Sequence, residues 1–310
     1  MKNLRQGASD YLALRRSLGF KLKRPARFLR EFIDWLEQRQ ETRITAHHAL
    51  EWATEPQHLH PSEWAARLSG VRAFAQYWST IDATTEIPPR GFLPFRPPRA
   101  KPYLYSETEI WQLMEAARGM PSAFSLRPLT YYCLIGLLAT TGLRISEALN
   151  LKPQDIDWNH RLLTIEGSKF GKSRLIALHA STTEALAKYA SDRDRHFRPD
   201  LVSHFFSSRR GNRLDEAEVR RTFYQLSRQI GIRKPSASRG PRLHDFRHRF
   251  AVETLLRWYR AGEDVDRHVW ILSTYLGHGH VTDTYWYLSN TPELMAAVAN
   301  RLEQRSEAQL

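Results

Sequence analysis

Residues 161–178 read Arg-Leu-Leu-Thr-Ile-Glu-Gly-Ser-Lys-Phe-Gly-Lys-Ser-Arg-Leu-Ile-Ala-Leu, and here the apolar period falls to two. Leu162, Thr164 and Glu166 alternate with Leu163, Ile165 and Gly167; Gly167 and Gly171 supply a turn, and Leu175, Ile176, Ala177 and Leu178 make the return. Alternation puts successive side chains on opposite faces, so the segment reads as a β-hairpin.

Around the hairpin the period is helical. Upstream, Ser106 with Glu109 forms a capping box ahead of Ile110, Leu113, Met114 and Ala117. An apolar helix from Leu129 to Ala139 stops at Thr141-Gly142. Downstream, Phe246, Phe250, Thr254, Leu255 and Trp258 outline one helix. Val265, Val269, Leu272 and Leu276 outline another, with Gly277 placed to cap it. Thr291-Pro292-Glu293 starts a last helix with the stripe Leu294, Val298, Leu302. It either folds back on its own domain or docks on a neighbouring protomer. The fold class expected is mainly α with a small β-hairpin or sheet, in two domains.

The second domain lies at the N-terminus. Phe28, Leu29, Phe32, Ile33 and Leu36 share a helix face between Pro25 and Gln40, Thr45 caps a short helix through Trp52, and Trp64, Leu68, Val71, Ala75 and Trp78 form a stripe within Ser62–Ser79. A small four-helix domain fits residues 1–87, with the aromatics as core. Pro88, Pro89, Pro94, Pro97, Pro98 and Pro102, interleaved with Arg90, Arg96, Arg99 and Lys101, exclude a helix and predict a stiff basic linker over 88–103. A larger domain over 104–290 and a tail over 291–310 complete the division.

The chain carries 46 Lys and Arg against 33 Asp and Glu, a net charge of +13. The excess is clustered. Seven bases and no acid lie between Tyr11 and Arg30 (Arg15, Arg16, Lys21, Lys23, Arg24, Arg27, Arg30), and twelve bases against four acids lie between Arg209 and Arg249. Two basic clusters suit a protein that grips a duplex and releases its counterions, so Arg15, Arg16, Lys21, Lys23, Arg24 and Arg27 are candidate DNA contacts. The single cysteine, Cys133, excludes an intramolecular disulfide. No apolar run approaches the roughly 20 residues of a membrane span, and a cytoplasmic location is expected.

Six residues suggest chemistry on that polyanion: Arg144, Lys169, His244, Arg247, His278 and Tyr287. Cleaving a phosphodiester builds negative charge on its non-bridging oxygens, which fixed guanidinium groups stabilise. Arg144 follows a Gly turn and opens a helix, and His244 and Arg247 share one helix face. His278 sits just past the Gly277 cap, and Tyr287 comes nine residues later. A phenol is a weak nucleophile at neutral pH, with a pKa of about 10, and nearby cations favour its phenolate as the proton leaves.

The segment Thr141-Gly142-Leu143-Arg144-Ile145-Ser146-Glu147-Ala148-Leu149 resembles the first arginine box of the tyrosine recombinases, the family of phage integrases and Xer-type enzymes. His244-Asp245-Phe246-Arg247-His248 resembles the second box, and Leu276-Gly277-His278 with Tyr287 the third. The hairpin resembles the one that carries the family's catalytic lysine, which falls on Lys169, with Lys172 the lesser claimant. Ser168 and Ala177 depart from the commoner residues there.

The resemblance implies a helical core-binding domain followed by a tyrosine-recombinase catalytic domain. Tyr287 would attack the phosphate to give a 3′-phosphotyrosine. Arg144 and Arg247 would clamp the non-bridging oxygens, and His278 would hydrogen-bond the phosphate. Lys169 would protonate the leaving 5′-oxygen, with His244 assisting. No cofactor, metal or ATP is implied. The partners implied are double-stranded DNA, a homo- or hetero-tetramer on it, and an accessory recombinase or DNA-bending protein. The task would be integration or excision of a mobile element, or resolution.

Three rival readings exist. His244, His248, His278 and His280 have spacings of metal ligands, but Arg247 and Arg249 beside them repel a metal. A type IB topoisomerase would keep the chemistry and relax DNA alone. A DNA-binding regulator would have no use for the phenol. Tyr285, two residues before Tyr287, is the alternative nucleophile; the spacing favours Tyr287 and leaves Tyr285 and Trp286 as packing residues.

Overall fold

The computed structural model describes residues 3–93, 101–123, 126–167, 173–198, 201–237, 239–288 and 292–307. The chain divides into two compact units, Met1–Ala100 and Lys101–Leu310. The division falls within the proline-rich stretch.

The first unit contains α1 (Leu4–Ser17), α2 (Lys23–Gln38), α3 (Ala46–Thr54) and α4 (Pro61–Trp78). Local chemistry sets their starts. The Asn3 side chain accepts from the amides of Arg5 and Gln6, Thr45 accepts from that of His48, and Pro61 occupies a first-turn position where its missing N–H costs nothing. The aromatic stripes meet as expected: Phe28, Phe32, Trp52, Phe74 and Trp78 are buried in one core with Leu29, Ile33, Leu36 and Val71. Trp78 lies so close to Gly7 that a β-carbon there would fall 1.9 Å from its ring. The linker differs from expectation at its start. Pro88 accepts a hydrogen bond from Arg72 Nε of α4 at 2.8 Å, and Leu93 packs on the core, so these residues lie along the helical unit instead of leaving it.

The second unit begins with α5 (Glu107–Arg118), α6 (Leu126–Thr141) and α7 (Ile145–Asn150). The capping box of α5 is complete: the Glu109 amide donates to Ser106 Oγ at 3.1 Å, and the Ser106 amide donates to Glu109 Oε2 at 2.8 Å. The hairpin forms β2 (Leu162–Ile165) and β3 (Arg174–Ala177), and β1 (Ile156–Asp157) adds a third antiparallel strand in the order β1-β2-β3. Leu163 pairs with Ile156 on one side and Ile176 on the other. At two residues, β1 is too short to show a period, so the sequence alone pointed only to a hairpin.

Then follow α8 (Ala180–His196), α9 (Glu216–Gln229), α10 (Leu243–Arg260), α11 (Val265–Leu276), α12 (Thr282–Leu288) and α13 (Pro292–Glu307). Helix α10 joins two cores. Its Leu243 and Phe246 belong to the larger one with α5 to α9 and the sheet, and its Ala251, Val252, Leu255 and Leu256 belong to a smaller one with α11, Tyr287 and Leu294. The N-terminal turns of α10 therefore stand where the two cores meet. Helix α13 packs on α10 through the buried Leu294. Among the described residues no helix is long and apolar enough to cross a membrane.

Candidate active site

The site is organised by the C-terminal end of α11. A helix leaves its last four carbonyls without intrahelical donors. Gly277 takes the left-handed conformation (φ +66°, ψ +48°) that closes the helix, so the amides of Gly277 and His278 satisfy Thr274 and Ser273. The next three carbonyls each accept from a different arginine. Arg174 Nε donates to Tyr275 O at 2.7 Å, Arg247 to Leu276 O at 2.5 Å and Arg144 to Gly277 O at 3.0 Å. The negative end of the helix dipole adds to each contact.

Arg144 precedes α7, and its main-chain amide and guanidinium both donate to Glu147, at 3.0 and 2.8 Å. Arg174, the first residue of β3, donates to both Glu147 oxygens at 3.1 and 2.8 Å. Burial opposes the charge on Glu147, but the hydrogen bonds from Arg174 and Arg144 outweigh it and hold its pKa at about 2. Arg247 is 1% exposed and also donates to Gly142 O at 3.0 Å. Loss of water lowers its pKa to about 10, against the pull of Tyr287. It remains a cation at neutral pH.

His244 is exposed, one turn before Arg247 on α10. Its pKa is lowered by the surrounding protein and by Arg247, against the opposing carboxylate of Asp245. Asp245 is buried and pairs with Arg242, fastening the first turn of the helix. His278 is half-buried, with Nδ1 2.7 Å from Thr284 Oγ1. Burial and the charges of Arg247 and Arg144 push its pKa down to about 4, so it is neutral under physiological conditions.

The Tyr287 ring is 5% exposed and lies 5.9 Å from that of His278, nearly parallel to it. Its other neighbours are His248, edge-on at 4.8 Å, and Trp286 at 5.9 Å. Arg144, Arg247, His244, His278 and Tyr287 are thus gathered around one helix end. Such a cluster can bind a dianionic transition state with fixed cations and bring a phenol to it.

Residues 104–293 match the model of the phage integrase family. The chain belongs to that family. Over 99% of both chains it is 51% identical to the integrase/recombinase y4rB of Sinorhizobium fredii. It is 28% identical to the tyrosine recombinase XerD of Mycobacterium tuberculosis over 91% of each chain. Its fold is similar to that of the Tn1549 transposon integrase in complex with transposon right end DNA, with a TM-score of 0.65 at 16% identity, covering 96% of this chain and 98% of that one.

In this integrase-family chain the remaining expected residues stand as follows. Lys169 and Lys172 lie outside the described residues, between β2 and β3. Tyr285 does not pack as expected: it is 44% exposed, because Thr284 and Tyr287 occupy the buried side of α12. Trp286 does pack, edge-on against His248 at 4.9 Å. His280 is exposed, and among the described residues no group of three or more metal-ligating side chains occurs.

Of the candidate DNA contacts, Arg16, Lys21 and Lys23 are exposed. Arg24 and Arg27 both pair with Glu63, and Arg15 lies over the ring of Phe20 at 4.0 Å. A cavity of about 390 Å³ lined by Arg127, Tyr131, Ser207, Arg210, Leu214 and Glu218 shares no residue with the site.

Sequence reasoning missed three participants. Glu147 stood inside the first quoted box, at the third helical position where a carboxylate closes a capping box. Arg174 and Thr284 carried no local signal, since their partners come from other elements.

Proposed function

We propose that this chain is a site-specific DNA recombinase that cleaves and rejoins strands through a 3′-phosphotyrosine on Tyr287. The observation that carries the reading is the attachment of Arg144 and Arg247 to adjacent carbonyls beside His278 and the Tyr287 ring. Two guanidinium groups so fixed need no rearrangement as charge grows on the phosphate.

In this reading the Tyr287 oxygen attacks phosphorus, and the bond to the 5′-oxygen breaks. The leaving oxygen takes a proton from Lys169, and His244 assists proton transfer. The products are a phosphotyrosine at the 3′ end and a free 5′-hydroxyl. A partner strand's 5′-hydroxyl reverses the step, and because the covalent bond keeps the phosphodiester energy, no ATP is consumed. The net charge of +13 and the exposed bases of the first unit support binding to duplex DNA. Exchange between two sites requires four such active sites, so a homo- or hetero-tetramer on DNA belongs to the proposal, as do a cytoplasmic location and an accessory recombinase or DNA-bending protein.

The test is covalent capture. Duplexes selected from a DNA pool for binding are nicked to trap intermediates and incubated in EDTA with wild type and with Tyr287→Phe. A protein–DNA adduct that survives denaturing electrophoresis and disappears in the variant is expected. An adduct formed equally by Tyr287→Phe removes Tyr287 from its role.

A further inference from the structure

A neutral imidazole carries one proton, so it can donate to a phosphate oxygen only if that proton sits on the nitrogen facing the phosphate. Something must choose the nitrogen. His278 Nδ1 is 2.7 Å from the hydroxyl of Thr284, a residue that is 0% exposed and lies three positions before Tyr287 on α12.

Two proton arrangements satisfy that distance. If Nδ1 carried the proton, the Thr284 oxygen would accept it, and the hydroxyl's own proton would need a second acceptor. Several other helical threonines of this chain have one on the carbonyl a turn earlier: Thr130 donates to Leu126, Thr141 to Leu137 and Thr254 to Phe250. Thr284 makes no such bond, and among the described residues its hydroxyl meets only His278 Nδ1. Protonating Nδ1 would therefore leave a buried hydroxyl donor unsatisfied, the more costly arrangement. In the other arrangement the hydroxyl donates to Nδ1, and the ring proton lies on Nε2.

We infer that Thr284 is a positioning residue that holds His278 in its Nε2–H tautomer, so that a neutral imidazole offers a donor to the scissile phosphate. The inference rests on the reading of His278 as a phosphate ligand given above. The choice of nitrogen matters because the ring is neutral: burial and the cations Arg247 and Arg144 keep a second proton off it. A charged ring would donate from both nitrogens and need no such partner. The bond also joins the helix of the nucleophile to the residue that follows the α11 cap, so the two move together.

Two measurements test this and separate it from the recombinase reading. The first is the tautomer itself, read at pH 7 from long-range proton–nitrogen spectra of the full chain labelled with ¹⁵N-histidine, with His278→Ala assigning the signal. Wild type is expected to show the Nε2–H pattern at His278; an Nδ1–H pattern overturns the inference whatever the protein does to DNA, and needs no other variant to fold.

The second is the rate of covalent capture on a nicked duplex. Thr284→Val, which keeps the shape and removes the hydroxyl, is expected to slow capture about 10- to 100-fold with DNA affinity unchanged. Thr284→Ser, which keeps the hydroxyl, is expected to stay within about threefold of wild type. Equal rates for wild type and Thr284→Val overturn the inference, while an adduct that persists in Tyr287→Phe overturns only the recombinase reading.

Discussion

Arg144 and Arg247 donate to adjacent carbonyls of one helix end, Gly277 O at 3.0 Å and Leu276 O at 2.5 Å, although one precedes α7 and the other lies in α10. Their spacing is therefore set by the α11 backbone, not by the reach of two flexible side chains. With Arg174 on Tyr275 O, three successive carbonyls hold three guanidinium groups. Otherwise-unpaired helix carbonyls serve as the template for an anion site.

Replacing either guanidinium should damage chemistry far more than binding. Arg144→Lys and Arg247→Lys keep the charge but lose the planar fork. We expect covalent capture to fall at least about 100-fold in each, by analogy with loss of one oxyanion donor, with duplex affinity nearly unchanged in gel-shift titration. Near-normal capture would show that charge alone suffices.

Glu147 lies between Arg144 and Arg174 and should be the weak point in acid. Its folded pKa of about 2 is below its ordinary value of 4.5, so its stabilisation is complete above that value and is lost as pH falls from about 4.5 toward 2. The shift corresponds to on the order of 3 kcal/mol. Glu147→Gln should therefore unfold in less denaturant than wild type at pH 7, and the gap should close toward pH 2. A constant gap across that range would contradict the assignment.

His248 titrates with the opposite chemistry but a similar pH trend. It is buried against Tyr287 and Trp286, and burial pushes its pKa from 6.5 down to about 4. A neutral folded form stabilises fully above pH 6.5 and loses that contribution as pH falls toward 4, on the order of 3 kcal/mol. Among the described residues Nδ1 of His248 has no hydrogen-bond partner, so a phenylalanine removes an unsatisfied group as well as a titration. His248→Phe should match wild-type stability at pH 7 to within about 1 kcal/mol and flatten its decline between pH 6.5 and 4, as followed by thermal unfolding.

Gly277 is required twice over. Its φ of +66° disfavours any side chain, and a β-carbon there would sit 3.0 Å from a guanidinium nitrogen of Arg174. Gly277→Ala should cost about 1 kcal/mol in backbone strain and displace Arg174 from Tyr275 O. We expect a folded protein that binds DNA and captures it at least tenfold more slowly. Wild-type capture by the alanine variant would mean that the arginine template tolerates movement.

Much of this protein could be read from local chemistry. The Ser106–Glu109 box, the helical stripes of Phe28–Leu36 and Val265–Leu276, the Gly277 cap and the alternation of residues 162–177 each rest on contacts within a few positions, so periodicity and capping residues reveal them. The set Arg144, His244, Arg247, His278 and Tyr287 stood out through its resemblance to the boxes of a known family, while local geometry spoke only for Arg144 after its Gly turn, His244 and Arg247 on one helix face, and His278 past its cap. Folding supplied the partners. Arg144 meets Gly277 across 133 positions, and Arg174 meets Tyr275 across 101 and Glu147 across 27. No pattern in a chain announces which carbonyl a distant guanidinium will find, and the same holds for β1, for Tyr285 turned outward and for α13 laid on α10. Backbone geometry acts over one or two turns, whereas buried charges are satisfied by whatever the packed cores bring beside them.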